Sequence, residues 1–195
     1  ACSTVAKNYL AHARVLSESF LKHHPSSKFY MLLADKVDDC FDPSKEQFQI
    51  VTLEDLGKAA VNFLDTSFLF SHDTYEFSTA LKAVFLEYLL NRLGVKKLIF
   101  LDPDILVTAS FCDVDQLLDK CSIILTPHLT APIKEDLTSQ VFPSEVLISL
   151  FGAYNTGFLA VAKTDATMSF LDWWKKRLHF GCFRDAEKGF AADQR

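Results

Sequence analysis

The sequence predicts an α/β domain with a mostly parallel central β-sheet that is covered by helices on both faces. Short apolar segments alternate along the chain with longer segments whose apolar residues recur at helical spacing. The short segments are apolar almost throughout, which is typical of strands buried on both faces of a parallel sheet. Ligands of such sheets bind beyond the carboxyl ends of the strands, so we expect functional residues at those ends.

The first half of the chain is predicted to contain three strands and three helices. The strands are "ACSTVA", "KFYMLLAD" and "FQIVTL". The helices are "NYLAHARVLSESFLKHH", which Pro25 stops, then "EDLGKAAVNFL", and then "DTYEFSTALKAVFLEYLLNRLG". The third helix begins with Asp73 and Glu76 at capping-box spacing, and Gly94 lies just past its end.

The helical period of this third helix predicts which of its sides is buried. Its predicted buried face consists of four residues, Phe77, Leu81, Phe85 and Tyr88. Lys82 lies beside the edge of that face, so we expect it to point toward the same cleft as the two aspartates described below.

The second half of the chain continues the pattern and adds an irregular tail. The predicted strands are "KKLIFL", "SIILTPHL" and "AYNTGFLAVAKT", and the predicted helices are "DVDQLLDK", "PSEVLISLFG" and "ATMSFLDWWKKRL". The tail "GCFRDAEKGFAADQR" is predicted to be a loop. No internal repeat or low-complexity linker interrupts the chain, so we expect one domain over residues 1–195, which we interpret as the core of a longer protein.

Composition excludes several classes of partner. The 195 residues carry a net charge of −5 without a basic stripe, which argues against nucleic acid. No apolar run reaches the roughly 18 residues that a membrane-spanning helix needs. The five cysteines show no zinc-ligand spacing, and we expect them to be reduced. The expected location is therefore the cytoplasm, including the inner face of a membrane.

Two aspartates, Asp102 and Asp104, directly follow the apolar strand "KKLIFL". Alternate residues at the end of a strand converge once the chain turns, and Pro103 fixes one backbone angle there. Two carboxylates together with water suit Mg²⁺ or Mn²⁺, which also take oxygens from phosphates. The alternative is that the two aspartates only cap the turn after the strand.

Five blocks in a fixed order give the chain a family resemblance. They are "STVAKNYLAHARVLSESFLKHHP", "YEFSTALKAVFLEYLL", "KKLIFLDPDILV", "AYNTGFLAV" and a "DQ" pair near the end. Together they resemble the nucleotide-sugar glycosyltransferases of the GT-A fold, especially the glycogenin-like and bacterial lipopolysaccharide-type enzymes. The resemblance implies a Rossmann-like GT-A domain that moves a sugar from a nucleotide-diphosphate sugar, with UDP favoured, to a hydroxyl acceptor.

The resemblance also implies roles for individual residues. Asp102 and Asp104 would bind Mn²⁺ or Mg²⁺, with Asp102 also touching the ribose, and Lys82 would meet the diphosphate. The remaining implied contacts are Thr4 and Tyr9 for the base and ribose, Asn155, Thr156 and Gly157 for the donor sugar, and Asp193 and Gln194 for donor or acceptor hydroxyls. Each also has a structural interpretation, such as a solvated helix lysine, a core aromatic residue, a strand-start cap or a frayed terminus.

His128 is a further candidate, because it stands just past a strand that we expect to lie beside the strand with the two aspartates. In that position it would hydrogen-bond a sugar or a phosphate. A structural histidine is the equal alternative.

The chain departs from the family pattern at three points. Val5 and Ala6 follow Thr4 where the family often has an aspartate, which leaves the base contact open. Lys82 stands where arginine is frequent, so a bidentate phosphate clamp is lost. The family's third metal ligand, a histidine beyond the "DQ" block, has no counterpart before Arg195.

Two other functions remain open. A phosphatase of the haloacid-dehalogenase type also has two aspartates after a strand, but its motif normally opens the chain and precedes a Gly-Thr turn. A non-catalytic GT-A-like domain that binds a nucleotide or a sugar is the second alternative.

For the glycosyltransferase interpretation, the sugar, the acceptor and the stereochemistry also stay open. Asp193 and Glu145 are both candidates for a catalytic base, and neither ranks first.

Overall fold

A computed structural model of the chain describes residues 1–37, 41–57, 63, 68, 72–131, 145, 148, 152–185 and 190–191. Within these residues the main sheet has the strand order β3-β2-β1-β4-β6-β5. Its strands are β1 (Cys2–Val5), β2 (Tyr30–Leu33), β3 (Gln49–Thr52), β4 (Lys97–Leu101), β5 (Ile123–Pro127) and β6 (Tyr154–Ala162). Strands β1 to β4 are parallel, and β6 runs antiparallel between β4 and β5. The predicted α/β fold with a mostly parallel sheet is confirmed.

Helices cover both faces of this sheet. They are α1 (Leu10–His23), α2 (Leu53–Leu56), α3 (Thr74–Asn91), α4 (Cys112–Leu117) and α5 (Asp165–Gly181), with short 3-10 turns at Lys7–Tyr9 and Pro43–Lys45. Helix α2 ends at Gly57, which has a positive φ of 59°, and most of the remainder of the predicted helix lies outside the described residues. The predicted helix over residues 143–152 lies almost wholly outside the described residues.

The prediction that the tail is a loop is wrong for its described part. Strands β7 (Arg184–Asp185) and β8 (Phe190–Ala191) form a small antiparallel sheet. The backbone N–H of Arg184 donates to Glu76 Oε1 at 2.8 Å, which ties this sheet to the start of α3. A long-range bond of this kind leaves no local pattern in the sequence.

The start of α3 follows the predicted capping box, but its buried surface is wider than predicted. Asp73 Oδ1 accepts from the N–H of Glu76 at 2.8 Å, and Glu76 Oε2 accepts from the N–H of Asp73 at 3.0 Å. The one-sided buried face is wrong, since α3 packs on the sheet and also on α5. Lys82, placed at the edge by its period, is also buried, against Asp102 and the Phe100 ring of β4.

The sheet divides the core into two clusters. Alternate residues of β2 show the division, because Leu32 packs with α3 and α5, whereas Met31 and Leu33 pack with α1. Helices α1 and α3 thus lie on opposite faces, and both approach the carboxyl end of β1.

Four cysteines, Cys2, Cys112, Cys121 and Cys182, are described, and all four are free thiols. Burial raises the pKa of the Cys2 thiol to about 12. Across the part of the chain that the structure describes, no helix is both long and apolar enough to cross a membrane. The predicted cytoplasmic location stays a prediction.

Candidate active-site cleft

A cleft of about 420 Å³ opens where the carboxyl ends of β1 and β4 meet. Three parts of the chain form its walls: the segment that follows β1, one side of α3, and the turn after β4. Its lining residues are Thr4, Val5, Ala6, Asn8, Tyr9, Asp73, Thr74, Tyr75, Ser78, Thr79, Lys82, Asp102, Pro103 and Asp104. Clefts of this size hold small ligands, and this edge of a parallel sheet is their usual location.

The turn after β4 delivers both aspartates to this cleft. The N–H of Asp102 donates to Gly157 O at 2.8 Å, which extends the pairing of β4 with β6 by one residue. The N–H of Ile105 donates to Asp102 O at 3.1 Å and closes the turn around Pro103. Backbone atoms therefore hold the turn, and both Asp102 and Asp104 line the cleft. Asp104 is exposed, whereas the side chain of Asp102 is 33% exposed.

Lys82 reaches the same point from α3. Its Nζ lies 3.0 Å from Asp102 Oδ1 and 5.1 Å from the centroid of the Phe100 ring, while the residue is only 5% exposed. A buried ammonium group is costly unless it is paired, and both the carboxylate and the aromatic face compensate for this one. The expectation that Lys82 points toward the cleft of the two aspartates agrees with this position.

Strand β6 approaches the cleft with its amino-terminal end. Gly157 lies so close to Asp102 that an added Cβ would lie 3.1 Å from Asp102 Oδ2 and 2.9 Å from Asn155 Oδ1. Asn155 Oδ1 accepts from the N–H of Gly157 at 2.8 Å. The absence of a side chain at Gly157 thus makes room for the Asp102 carboxylate. Thr156, which lies between Asn155 and Gly157 in the chain, is buried.

Thr4 and Tyr9 line the wall that follows β1. Thr4 is buried, and its Oγ1 has no hydrogen-bond partner among the described residues, so a ligand in the cleft could supply one. Tyr9 is 44% exposed at the start of α1. Both positions suit a contact with a ligand, and their assignment to base and ribose stays a prediction.

The sequence did not single out a polar stripe on α3. Tyr75, Ser78 and Thr79 precede Lys82 at the spacing of one helix face, and all of them line the cleft. This spacing, counted back from Lys82, was the signal that could have found them. Arg184 of β7 adds a cation over the Tyr75 ring, with its Cζ 4.6 Å from the ring centroid.

The expectation that the strand before His128 lies beside the strand with the two aspartates is wrong. Strand β5 pairs with β6 and not with β4, so the antiparallel β6 separates His128 from the two aspartates. His128 is exposed, its N–H donates to Ala153 O at 3.0 Å, and it does not line the cleft. Glu145 is also exposed and outside the cleft lining. The remaining candidates, Asp193 and Gln194, lie outside the described residues.

The charges in the cleft favour a cation. Lys82 balances one of the two carboxylates of Asp102 and Asp104, which leaves one formal negative charge at the β4 turn. Carboxylate oxygens are the donors that Mg²⁺ and Mn²⁺ prefer. Within the described ranges, no group of three acidic, histidine or cysteine side chains could hold a metal. A divalent ion at this pair would need further oxygens from a substrate or from water.

Asp73, the N-cap residue at the start of α3, is a third acidic residue of the cleft lining. The hydrogen bond from the Glu76 N–H lowers the pKa of the Asp73 carboxyl, and Arg184 lowers it further. Its Oδ2 lies 3.0 Å from Arg184 Nη2. Asp73 is thus ionised and fixed at neutral pH.

No known protein-family profile matches the chain. An uncharacterized protein of Bacillus subtilis (strain 168), YfnF, is 24% identical over 201 residues, which cover 99% of this chain and 62% of that protein. The chain thus spans less than two thirds of this relative. Its organisation as one domain of a longer protein stays a prediction.

Several solved glycosyltransferase structures share the fold. The galactosyltransferase LgtC, solved with donor and acceptor sugar analogs, matches 93% of this chain and 61% of its own, with a TM-score of 0.50 and 15% identity. GlyE of Streptococcus pneumoniae TIGR4 matches 99% and 40%, with a TM-score of 0.54 and 15% identity. The bifunctional glycosyltransferase WbbM matches 92% and 34%, with a TM-score of 0.55 and 14% identity. The chain has a glycosyltransferase-like GT-A fold, as its sequence predicts.

Proposed function

We propose that the chain is the donor-binding part of a glycosyltransferase. It would move a sugar from a nucleotide-diphosphate sugar, with a UDP-sugar favoured, to a hydroxyl acceptor, assisted by Mn²⁺ or Mg²⁺. One observation carries the proposal: Lys82, Asp102 and Asp104 line one cleft at the carboxyl end of β4, and Lys82 is paired with Asp102 there. A cation and a carboxylate pair at this edge of a GT-A-like fold suit a diphosphate bound through a divalent ion.

Lys82 is the residue that would bind the diphosphate directly. It already stands in the cleft with its charge held by Asp102 at 3.0 Å, so no large movement is needed to share that charge with a phosphate oxygen. Because the surrounding residues exclude water, its charge acts at low dielectric, where it stabilises a leaving diphosphate more than it would in solvent.

Asp102 and Asp104 would hold the divalent ion together with phosphate oxygens. The bound ion would neutralise charge on the departing diphosphate and act as a Lewis acid. Gly157 has no side chain, and the Asp102 carboxylate lies close to the position that a Cβ would take there. We assign Thr4 and Tyr9 to the nucleoside and Asn155 and Gly157 to the donor sugar.

A second candidate is a domain of this fold that binds the nucleotide sugar without transferring the sugar. The ion pair between Lys82 and Asp102 favours it, because it engages one of the two carboxylates that the metal needs. Release of free UDP from a UDP-sugar, together with transfer to an acceptor, would separate the enzyme from the binding domain.

A thermal-shift screen tests the proposal. The protein is heated with UDP- and GDP-sugars, each with Mn²⁺ or with a chelator. We expect stabilisation by UDP-sugars in Mn²⁺ only, because a ligand that binds the native state raises its melting temperature by mass action. A shift of equal size in chelator would leave only the binding domain, and the absence of any shift with every nucleotide sugar would refute both candidates.

A further inference from the structure

Tyr75 is a large aromatic side chain that the proposed function leaves without a role. It lies on the α3 wall of the cleft and is 53% exposed, although α3 is otherwise buried over most of its surface. Exposed aromatic rings on the wall of a concave site are typical of ligand contacts. Its position therefore calls for a ligand with a flat face.

Contacts from β7 brace the Tyr75 ring. The Arg184 guanidinium carbon lies 4.6 Å from the ring centroid and covers one face of the ring. Arg184 is itself fixed at two points, by Asp73 Oδ2 at 3.0 Å from its Nη2 and by Glu76 Oε1 at 2.8 Å from its backbone N. The ring is thus ordered before a ligand binds, which lowers the entropy cost of binding.

The spacing along α3 relates Tyr75 to the diphosphate site. Tyr75 and Lys82 are seven residues apart on the same stripe of the helix, which is about 10 Å along its axis. A nucleoside diphosphate whose phosphates meet Lys82 extends far enough to bring its base to the level of Tyr75. Ser78 and Thr79 lie between them and offer hydroxyl groups to a ribose.

Tyr9 borders the same cleft from the other side of the sheet. It stands at the start of α1, whose buried residues belong to the core cluster opposite to that of α3. Two exposed tyrosines thus come from elements on opposite faces of the sheet and line one cleft. The cleft thus has an exposed aromatic ring on each of two walls, while the polar stripe and the charged side chains lie toward Lys82 and the β4 turn.

We propose that Tyr75 stacks on the nucleobase of the donor, across the base from Tyr9, and that Arg184 is a positioning residue that holds the Tyr75 ring. The inference rests on the proposed function and adds the residues that recognise the base. A pair of stacking rings also replaces part of the base recognition that Val5 and Ala6 do not provide.

Titration calorimetry with two probes in Mn²⁺ tests this inference. The probes are UDP, which carries the base, and inorganic pyrophosphate, which lacks it. We expect Tyr75→Ala to weaken UDP binding roughly ten- to hundredfold, the range for loss of one aromatic stacking partner, and to leave pyrophosphate binding within about twofold. Tyr75→Phe should retain most of the UDP affinity, because the ring is kept.

Double variants test the pairing of the residues. Tyr9→Ala combined with Tyr75→Ala should show a non-additive loss of UDP affinity, because both rings contact one base. Arg184→Ala should weaken UDP binding less than Tyr75→Ala does and have no further effect in the Tyr75→Ala background, and Arg184→Lys should restore part of the loss.

Three results would overturn the inference. UDP binding within twofold of wild type in Tyr75→Ala would remove Tyr75 from the base site and leave the proposed function intact. Equal losses for UDP and pyrophosphate would assign Tyr75 to the structure of the diphosphate site. Failure of the wild type to bind either probe in Mn²⁺ would refute the proposed function itself.

Discussion

The parallel and antiparallel halves of the sheet contribute different things to the cleft. In the parallel half, β1 and β4 end at the same edge. The residues at and just past these strand ends bring side chains to the cleft: Thr4 and Tyr9 from β1 and the segment after it, and Asp102 and Asp104 from the turn after β4. In the antiparallel half, β6 begins at that edge and brings its backbone close, with Gly157 against Asp102. The parallel half thus supplies the charged side chains Asp102 and Asp104, and the antiparallel half makes room for the Asp102 carboxylate at Gly157.

This difference explains why His128 is misplaced by simple strand reasoning. A strand end in a parallel sheet is automatically near its neighbours' ends, so the positions of Asp102 and Asp104 follow from strand direction alone. The position of His128 depends on which strand lies beside β5, and the intervening β6 runs in the opposite direction. The end of a strand at which a residue lies can be read from the residues around it, whereas the order of the strands in the sheet cannot.

The largest effect in the parallel half is expected for Lys82→Met. Losing a charged partner of the diphosphate removes about 1.5–3 kcal/mol, so UDP binding in Mn²⁺ should weaken ten- to hundredfold. The free energy of unfolding should change by about 1 kcal/mol or less, because methionine fills the space and Asp102 remains partly hydrated. Calorimetry and urea unfolding measure the two effects.

Lys175→Met is the matched control. Lys175 also pairs with an acidic residue at α3, with its Nζ 2.6 Å from Glu87 Oε2, but it is outside the cleft lining. UDP affinity should be unchanged in this variant. If Lys82→Met lost several kcal/mol of stability while its UDP affinity stayed normal, Lys82 would have a structural role and no ligand role.

A smaller effect is expected in the antiparallel half for Gly157→Ala. The added Cβ would displace Asp102 Oδ2 or Asn155 Oδ1, so metal-dependent UDP binding should weaken by up to about tenfold, or about 1.4 kcal/mol. Adding Asn155→Ala removes one of the two close contacts. Full recovery of UDP binding in the double variant would show that the new Cβ of Gly157→Ala acts by displacing the Asn155 side chain. In that case Gly157 is not needed to make room for the Asp102 carboxylate.

The smallest effect is expected at Asp73, and it depends on pH. Its folded-state pKa is lowered, so its charge contributes stability above the unfolded pKa of about 3.9, and this contribution is lost as the pH falls through the folded value. Because Asp73 is half exposed, the difference from Asp73→Asn should stay below about 1 kcal/mol near neutral pH and vanish in acid. Urea unfolding at both pH values measures it, and a difference that grew in acid would reverse the assigned sign.

The sequence is informative wherever the determining pattern is local. The capping box at Asp73, the strand before Asp102 and the helical phase of Lys82 can all be read from neighbouring residues, and the structure agrees with them. Burial of Lys82 was missed because it depends on Phe100 and Asp102, which pack against α3 from β4 and the turn after it. The ring of Tyr75 and its Arg184 partner were missed for the same reason, since they are 109 residues apart.

The central claim is that Asp102 and Asp104 hold a divalent ion together with a nucleotide diphosphate. Without the ion, the β4 turn keeps a formal negative charge beside Lys82 and should repel the diphosphate. With the ion, each ligand should raise the affinity of the other by the same factor. Asp104→Asn removes one ligand charge at an exposed position and should leave the fold intact.

Titration calorimetry of UDP with Mn²⁺ and with a chelator, on wild type and on Asp104→Asn, tests this claim most directly. We expect wild-type protein to bind UDP well only in Mn²⁺ and Asp104→Asn to lose most of this dependence on the metal. Equal UDP binding in chelator, or undiminished coupling in Asp104→Asn, would contradict it and leave the two aspartates as a turn structure without a metal role.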